Sequence, residues 1–297
     1  MEIETHEATV DGMRTRYLAA GSGPPLVLVH GDGESAADWQ WVLPTFARSY
    51  RVLAPDLPGC GPTVEPVARC TPEFFGGFLG GFLDALGIER AVLVGNSLGA
   101  LAILHLVLRD PERAAALVLV DSAGLGREVN PAQQLLTLPG YGEMQAAWAR
   151  TFPGSTQRIL ARSALLFARP ERVPLGWVRE QYRLASLPQF LDVTLASLRE
   201  LMDVGGQRPD QILLHRLPEL EMPTLVVWGA QDLVVPVSHG REAVARLRNG
   251  HLAVIPDCGH QPQVECPSQF VDTLDGFLDV ERHPRPRRAR RVREEPS

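Results

Sequence analysis

The pentapeptide Gly95-Asn96-Ser97-Leu98-Gly99 places a serine at the apex of a sharp turn between a predicted strand and a predicted helix. The apolar run 91–94 precedes the turn, and the helix-compatible stretch 100–104 follows it. Such a turn forces its central residue into a strained backbone conformation, and the flanking glycines avoid clashes with the neighbouring strand and helix. The pattern therefore predicts a serine hydroxyl that points outward at a helix N-terminus.

A serine hydroxyl is a weak nucleophile, so this prediction requires a base and an acid elsewhere in the chain. Asp232 and His260 each lie in a loop directly after a predicted buried strand. Because parallel strands bring such loops to one edge of a sheet, Ser97, Asp232 and His260 form a candidate catalytic triad. Asp121 also ends a predicted strand and is the alternative acid, but the loop length before Asp232 and the following Pro236 favour Asp232.

These residues resemble the α/β-hydrolase superfamily over about residues 8 to 280. The resemblance implies an α/β fold with a mostly parallel eight-stranded sheet, helices on its flanks and an inserted helical cap. Besides the elbow around Ser97, it rests on the motifs His30-Gly31-Asp32-Gly33, Asp56-Leu57-Pro58-Gly59-Cys60-Gly61, the acid loop 225–236 and the histidine loop 259–267.

The resemblance also implies an oxyanion hole, in which two backbone N–H groups stabilise the negative charge of a tetrahedral intermediate. We assign these donors to Leu98, at the start of the predicted helix, and to Asp32, with Gly33 as the alternative to Asp32. The Asp32 carboxylate would repel an oxyanion if it pointed inward. We therefore expect it to cap a loop, and a hydrogen bond to a polar substrate group is the second interpretation.

The family resemblance divides the chain into a core, a cap and a tail. Residues 1–124 and 213–281 are predicted to form the core, and residues 125–212 the helical cap. The Arg-rich tail 282–297 contains three prolines and few apolar residues, so we expect it to be disordered. The helical stretches predicted in the cap are 131–138, 144–151, 157–167, 178–184 and 189–203.

The substrate pocket is expected between the core loops and the cap. Most bulky cap side chains should be ordinary packing, with a minority facing the pocket. The candidate pocket residues are Gly31, Gly33, Asn96, Trp148, Phe152, Phe167, Trp177, Phe190 and Val234.

Composition excludes several kinds of chemistry. All 29 basic residues are arginine, so Schiff-base catalysis through a lysine is excluded. The four cysteines, Cys60, Cys70, Cys258 and Cys266, lack C-x-x-C spacing and are predicted to be free thiols. No cluster of His, Cys and carboxylates shows the sequence spacing of a metal site, so we expect neither a metal nor a cofactor.

The expected partner is a small-molecule substrate. No apolar stretch of about 18 residues is present, and the acidic, polar N-terminus does not resemble a signal peptide, which predicts a cytoplasmic protein that binds no membrane. A basic tail can attract nucleic acid or anionic lipid, but we favour a solvated tail and expect no nucleic-acid partner. Whether the protein forms a homodimer stays open.

Serine rather than aspartate at the elbow favours acyl chemistry within this superfamily. We predict a serine hydrolase that cleaves a small or medium, largely apolar ester, thioester or lactone through an acyl-enzyme. The elbow is also similar to that of hydrolases that cleave carbon–carbon bonds of diketone acids, although Ala100 and Gln261 stand where those usually have glycine and tryptophan. A perhydrolase would use the same triad, and a ligand-binding, receptor-like or biosynthetic non-hydrolytic member of the fold is the rival to a hydrolase.

Overall fold

Eight strands form one sheet in the computed structural model, which describes residues 2–60 and 70–282. Two further strands form a separate short hairpin. The strands are β1 (Glu4–Val10), β2 (Met13–Ala20), β3 (Pro25–Val29), β4 (Arg51–Pro55), β5 (Ala91–Asn96), β6 (Ala114–Val120), β7 (Met202–Asp203), β8 (Gly206–Gln207), β9 (Thr224–Gly229) and β10 (Gly250–Ile255).

The strand order in the large sheet is β1-β2-β4-β3-β5-β6-β9-β10. The β1–β2 and β2–β4 pairs are antiparallel, and every later pair is parallel. The carboxyl ends of β3, β5, β6, β9 and β10 therefore meet at one edge of the sheet. The predicted mostly parallel eight-stranded sheet is confirmed.

Helices cover the sheet on both sides. The α-helices are α1 (Leu43–Phe46), α2 (Pro72–Ala85), α3 (Leu98–Arg109), α4 (Pro131–Leu136), α5 (Tyr141–Ala149), α6 (Phe152–Leu166), α7 (Leu175–Ala185), α8 (Phe190–Leu201), α9 (Val237–Arg246), α10 (Pro262–Glu265) and α11 (Pro267–Arg282). Short 3-10 helices span Ala36–Trp39, Pro111–Arg113, Pro170–Arg172, Pro209–Gln211 and Leu214–Glu219.

The central strands are apolar on both faces because both faces are buried. In β3, Val27 and Val29 pack into the core shared with α2, α3 and the cap helices. Leu26 and Leu28 point to the opposite face and pack into the core shared with α1 and α11. This alternation follows from the two-residue period of a strand, and it fixes the register that brings the loops to the sheet edge.

The chain leaves the sheet after β6 and returns to it at β9, and α4 to α8 lie in between. Each of the five stretches predicted to be helical overlaps one of these helices. We use the name cap for residues 125–212. The hairpin of β7 and β8 was not predicted, because two-residue strands are too short to show a periodic pattern.

Two sequence predictions fall partly outside the described residues. Gly61 of the Asp56 motif lies in the gap 61–69, and residues 283–297 of the tail also lie outside. Helix α11 continues to Arg282, the first residue of the predicted tail. None of the helices in residues 2–60 and 70–282 has both the length and the apolar character needed to cross a bilayer.

Candidate active site

Ser97 occupies the turn between β5 and α3 with a backbone conformation that non-glycine residues rarely adopt. Its φ is 52° and its ψ is −117°. A Cβ on Gly95 would lie 2.5 Å from the Ala100 nitrogen, and a Cβ on Gly99 would collide with the His30 carbonyl oxygen. The two glycines are therefore needed for this turn, and the strain at Ser97 is the kind that is stored at functional sites.

His260 and Asp232 are in direct contact in the loops after β10 and β9. The Nδ1 atom of His260 donates a hydrogen bond to Oδ2 of Asp232 at 2.8 Å, and both side chains are buried. The other carboxylate oxygen of Asp232 accepts from the N–H groups of Val234 at 2.7 Å and Val235 at 3.2 Å. The carboxylate thus fixes the imidazole tautomer and leaves Nε2 able to accept a proton.

Asp121, the alternative acid, lies beside this pair but has a different partner. Its Oδ1 accepts from the Gly229 N–H at 2.8 Å, and its side chain is fully buried. Burial, followed by the nearby negative charge of Asp232, raises the pKa of Asp121 well above its ordinary value. The geometry therefore favours Asp232 as the partner of His260, whereas Asp121 accepts from the Gly229 N–H.

The histidine loop is tied to the elbow and to the cap. The amide of Asn96 donates to the His260 carbonyl at 3.0 Å, and the His260 N–H donates to the Leu166 carbonyl in the cap at 2.7 Å. Glu265 accepts from the N–H groups of Gly259 at 2.7 Å and Arg169 at 2.8 Å. These bonds hold the backbone of the histidine loop against the elbow and the cap.

The loop after β3 is held through His30. Nε2 of His30 accepts from the Leu57 N–H at 2.9 Å, so Nδ1 carries the proton that it donates to the Gly31 carbonyl at 2.8 Å. Burial lowers the pKa of His30, which keeps the ring neutral for this role. Asp56 fixes the same loop, because its Oδ1 accepts from the Ala36 N–H at 2.8 Å.

Asp32 and Leu98 offer the two backbone donors that we expect at an oxyanion hole. Among the described residues, neither N–H has a backbone or side-chain acceptor. The expected cap of a loop by the Asp32 carboxylate is absent, since no N–H of the described residues donates to it, and its Oδ1 is buried without a partner. Burial raises the pKa of Asp32 to about 7, and Arg162 opposes this shift.

A cavity of about 80 Å³ brings the candidate groups together. Of the residues expected at the site, its lining includes Ser97, His260, Asp32, Gly31, Asn96 and Val234. The Ser97 hydroxyl makes no direct hydrogen bond to His260, and such contacts are often long until a substrate is bound. We call this space the catalytic cavity.

A second cavity of about 370 Å³ lies within the cap. Trp148 lines this space rather than the catalytic cavity. Both cavities share a wall formed by Gln133, Leu136, Arg162, Thr194 and Leu198. The cap cavity therefore adjoins the catalytic cavity across these side chains.

The loop and strand geometry agrees with a comparison against known families. Residues 24–267 match the family model described as alpha/beta hydrolase fold. The chain belongs to the α/β-hydrolase family.

Relatives of this α/β hydrolase differ in the reactions that their names describe. A 2-hydroxy-6-oxo-6-(2'-aminophenyl)hexa-2,4-dienoic acid hydrolase from Metapseudomonas resinovorans is 31% identical, with 90% of this chain and 88% of the relative covered. The structure of a bacterial membrane phospholipase A has a TM-score of 0.79 and 27% identity, with 95% and 87% covered. An esterase from Rhodococcus sp. ECU1013 has a TM-score of 0.74 and 26% identity, with 94% and 99% covered.

Several predicted pocket residues of this α/β hydrolase line neither cavity. The rings of Phe167 and Trp177 pack edge to face in the hydrophobic core, with their centroids 5.0 Å apart. Both side chains therefore pack against the core instead of lining a cavity. Phe190 is buried beneath the Arg158 guanidinium, whereas Phe152 is 77% exposed on the cap surface. Gly33 faces the Arg162 side chain instead of the catalytic cavity.

Sequence reasoning also missed much of the cap side of the catalytic cavity. The missed residues include Gln133, Leu136, Arg162, Thr194, Leu198 and Gln207. The three-to-four-residue spacing on α6 and α8 could have indicated an inward face, on which Arg162, Thr194 and Leu198 lie. Gln207 lies on a two-residue strand and had no such signal.

Two groups of potential metal ligands come together in space, although their sequence spacing gave no indication of this. Each group has one ligand atom per residue, all within 4.8 Å of one another: Asp121, Asp232 and His260, and Cys258, Glu265 and Cys266. In the first group the Asp232 and His260 atoms bond each other, and in the second the Glu265 oxygens accept backbone N–H groups. The Asp232, His260 and Glu265 atoms are therefore engaged within the protein, whereas Oδ2 of Asp121 has no partner among the described residues.

Proposed function

We propose that this α/β hydrolase is a serine hydrolase that cleaves a small or medium, largely apolar ester, thioester or lactone. One observation carries the proposal: His260, which is bonded to Asp232, lines the same catalytic cavity as the strained Ser97. A strained serine gives no advantage to a protein that only binds a ligand, which argues against a receptor-like role. The phospholipase and esterase relatives support an ester substrate.

In the proposed first half-reaction, Oγ of Ser97 attacks the substrate carbonyl carbon while Nε2 of His260 takes the hydroxyl proton. The N–H groups of Leu98 and Asp32 stabilise the oxyanion, and the N-terminal end of α3 adds a favourable dipole. Collapse of this intermediate breaks the bond to the leaving group, which takes the proton from His260. An acyl-enzyme on Ser97 results.

In the second half-reaction, water attacks the acyl carbon and gives a proton to Nε2 of His260. The second tetrahedral intermediate breaks the bond to Oγ, which takes that proton back. The acid is released and Ser97 is regenerated. Asp232 stabilises the imidazolium in both halves without accepting its proton.

A carbon–carbon bond hydrolase of diketone acids is the second candidate, because the Metapseudomonas relative carries such a substrate in its name. Ala100 and Gln261 stand against it, since that group usually has glycine and tryptophan at these positions. Turnover of p-nitrophenyl esters, lactones and ring-fission diketones by one preparation separates the two candidates. A kcat/KM for a diketone acid about a hundredfold above that for any ester or lactone would favour the second candidate.

Ser97→Ala tests the proposed nucleophile. We expect kcat for activated esters to fall by about four orders of magnitude or more, because the substitution deletes only the hydroxyl. An organophosphonate should label wild-type protein at Ser97, as determined by peptide mass spectrometry. Ser163→Ala is the matched control, since Ser163 is a buried serine that lines neither cavity. Full activity of Ser97→Ala, or labelling at another serine, would refute the proposal.

A further inference from the structure

The catalytic cavity contains a fully buried glutamine that the proposed mechanism does not use. Gln207 has no exposed surface and lies in the cavity lining. Its Nε2 is buried and has no hydrogen-bond partner among the described residues. Since nearly all buried polar groups of native proteins have a partner, this atom needs an explanation.

The Gln207 side chain is held in one orientation. Its Oε1 accepts from the Gly124 N–H at 2.6 Å, and its backbone N–H donates to the Arg127 carbonyl at 2.8 Å. The Gly124 N–H can only be paired with the amide oxygen, so the amide cannot be flipped without losing this bond. The atom left without a partner is therefore the donor, Nε2, and it calls for an acceptor.

A nearby glutamine shows what a purely structural role looks like. Gln211 is also buried but lines neither cavity. Its Nε2 donates to Oε1 of Glu73 at 3.2 Å and to Oδ2 of Asp210 at 3.3 Å, and its Oε1 is buried without a partner away from both cavities. Gln207 differs in two ways: its unpartnered atom is the donor Nε2, and its side chain belongs to the lining of the catalytic cavity.

Other unpartnered polar atoms line the same cavity. Oε1 of Gln133 and Oγ1 of Thr194 are buried without partners on the cap side. Each buried polar atom without a partner destabilises the folded protein. A plain hydrocarbon chain would satisfy neither atom, whereas a substrate oxygen could accept from the Thr194 hydroxyl and a substrate hydroxyl could donate to Oε1 of Gln133.

We propose that Nε2 of Gln207 donates a hydrogen bond to an acceptor oxygen in the part of the substrate that occupies the catalytic cavity. The substrate is then a largely apolar ester whose cavity-bound part carries a keto, ether or hydroxyl oxygen. The volume of about 80 Å³ is below the roughly 150 Å³ that holds one benzene. The oxygen therefore lies within a few atoms of the scissile carbonyl. This inference rests on the proposed ester hydrolysis.

Ester pairs that exchange one CH₂ for oxygen test the proposal. Suitable pairs are the p-nitrophenyl esters of methoxyacetate and butanoate, and of 3-methoxypropanoate and pentanoate. Each ratio of kcat/KM is divided by the ratio of the hydroxide-catalysed rates, which removes the intrinsic activation by the ether. We expect wild-type protein to prefer the ether about three- to tenfold in at least one pair, the effect of one net hydrogen bond.

Gln207→Met removes the donor at similar side-chain volume, and we expect it to abolish the ether preference. Gln211→Met makes the same change in the glutamine whose Nε2 already donates to protein acceptors, and this variant should keep the ether preference. A merely structural role for Gln207 would lower kcat/KM for both esters of a pair equally, and this outcome would overturn the proposal. The wild-type ratios test the proposal even if Gln207→Met does not fold.

Different results would refute the role of Gln207 and the proposed ester hydrolysis. Turnover of both esters of every pair by wild-type protein without any ether preference would refute the role of Gln207 and leave the ester hydrolase standing. If wild-type protein hydrolyses none of these esters, the proposed function fails and the inference about Gln207 falls with it.

Discussion

The catalytic cavity has a core edge, formed by the loops that follow β3, β5, β9 and β10, and a cap side, formed by residues 125–212. The side chains of the two are held in different ways. At the core edge, the His260 imidazole is bonded to Asp232, and Asp232 in turn accepts two backbone N–H groups. Buried polar atoms without a partner line the cavity on both sides: those of Asp32, Asn96 and Gln261 at the core edge, and those of Gln133, Thr194 and Gln207 on the cap side. The two sides differ because the bonded pair of His260 and Asp232 belongs to the core edge alone, whereas the cap side offers polar groups that a substrate can use.

Asp232→Asn removes the carboxylate that orients His260, and we expect it to have the largest effect among the substitutions at the core edge. An asparagine can present its N–H₂ to Nδ1 and stabilise the wrong imidazole tautomer, so we expect kcat to fall by about three to four orders of magnitude. KM should change little, because Asp232 does not line the catalytic cavity. Steady-state kinetics with p-nitrophenyl butanoate measures both quantities.

Asp121→Asn is the matched control for this substitution. Its carboxyl is already favoured in the protonated form by burial, which raises its pKa, and an amide can still accept from the Gly229 N–H. We expect it to retain kcat within about tenfold, since the amide oxygen keeps the bond from the Gly229 N–H and burial already disfavours a charge at this position. The opposite order of the two variants would identify Asp121 as the acid and would contradict the ordered core edge described above.

The core edge could be predicted from sequence because its residues stand in loops with a fixed backbone geometry. The strained turn at Ser97 needs Gly95 and Gly99 next to it, and this requirement is visible as a short motif. Asp232 and His260 each follow a buried strand, whose apolar character is equally visible. The order of strands in the sheet then brings these loops together.

The cap side could not be predicted because its positions depend on how helices pack. Phe167 and Trp177 have the bulk expected of pocket residues, yet they bury it against each other. Gln207 is placed by a two-residue hairpin and one contact to Gly124, neither of which has a sequence pattern. Helix periodicity indicates an inward face but not whether that face meets the core or a cavity.

Asp32 lies where the core edge meets the cap side. A substitution of Asp32 therefore tests whether the cap controls the charge at the oxyanion hole. Burial raises its pKa to about 7, while Arg162 and Arg158 of α6 lower it and Glu34 of the same loop raises it. Below that pH the carboxyl is neutral, and above it a negative charge faces the oxyanion. Two unit charges of like sign that are about 8 to 16 Å apart repel each other by about 1–2 kcal/mol at an effective dielectric constant of about 20.

The expected result is a loss of kcat/KM above about pH 7 in wild-type protein that is absent from Asp32→Asn. At pH 9 the variant should exceed wild type by about five- to thirtyfold, the equivalent of that repulsion. Asp38→Asn is the control, because burial already raises the pKa of Asp38 well above its ordinary value, and Asp38 lines neither cavity. An alkaline loss that persists in Asp32→Asn would show that Asp32 does not titrate in this range.

Chelation is expected to have the smallest effect. It tests whether a metal ion is bound where the histidine loop contacts the cap. Cys258, Glu265 and Cys266 bring ligand atoms within 4.8 Å there, but the Glu265 oxygens accept from Gly259, Ala168 and Arg169, which joins core and cap through hydrogen bonds. The hydrogen bond between the two thiols is the first cause that raises the pKa of Cys258 and lowers the pKa of Cys266, so the two sulfurs also interact with each other. We therefore expect dialysis against EDTA to leave kcat/KM and the melting temperature unchanged. Loss of activity that zinc restores would instead show that a metal, rather than these hydrogen bonds, joins the two sides of the site.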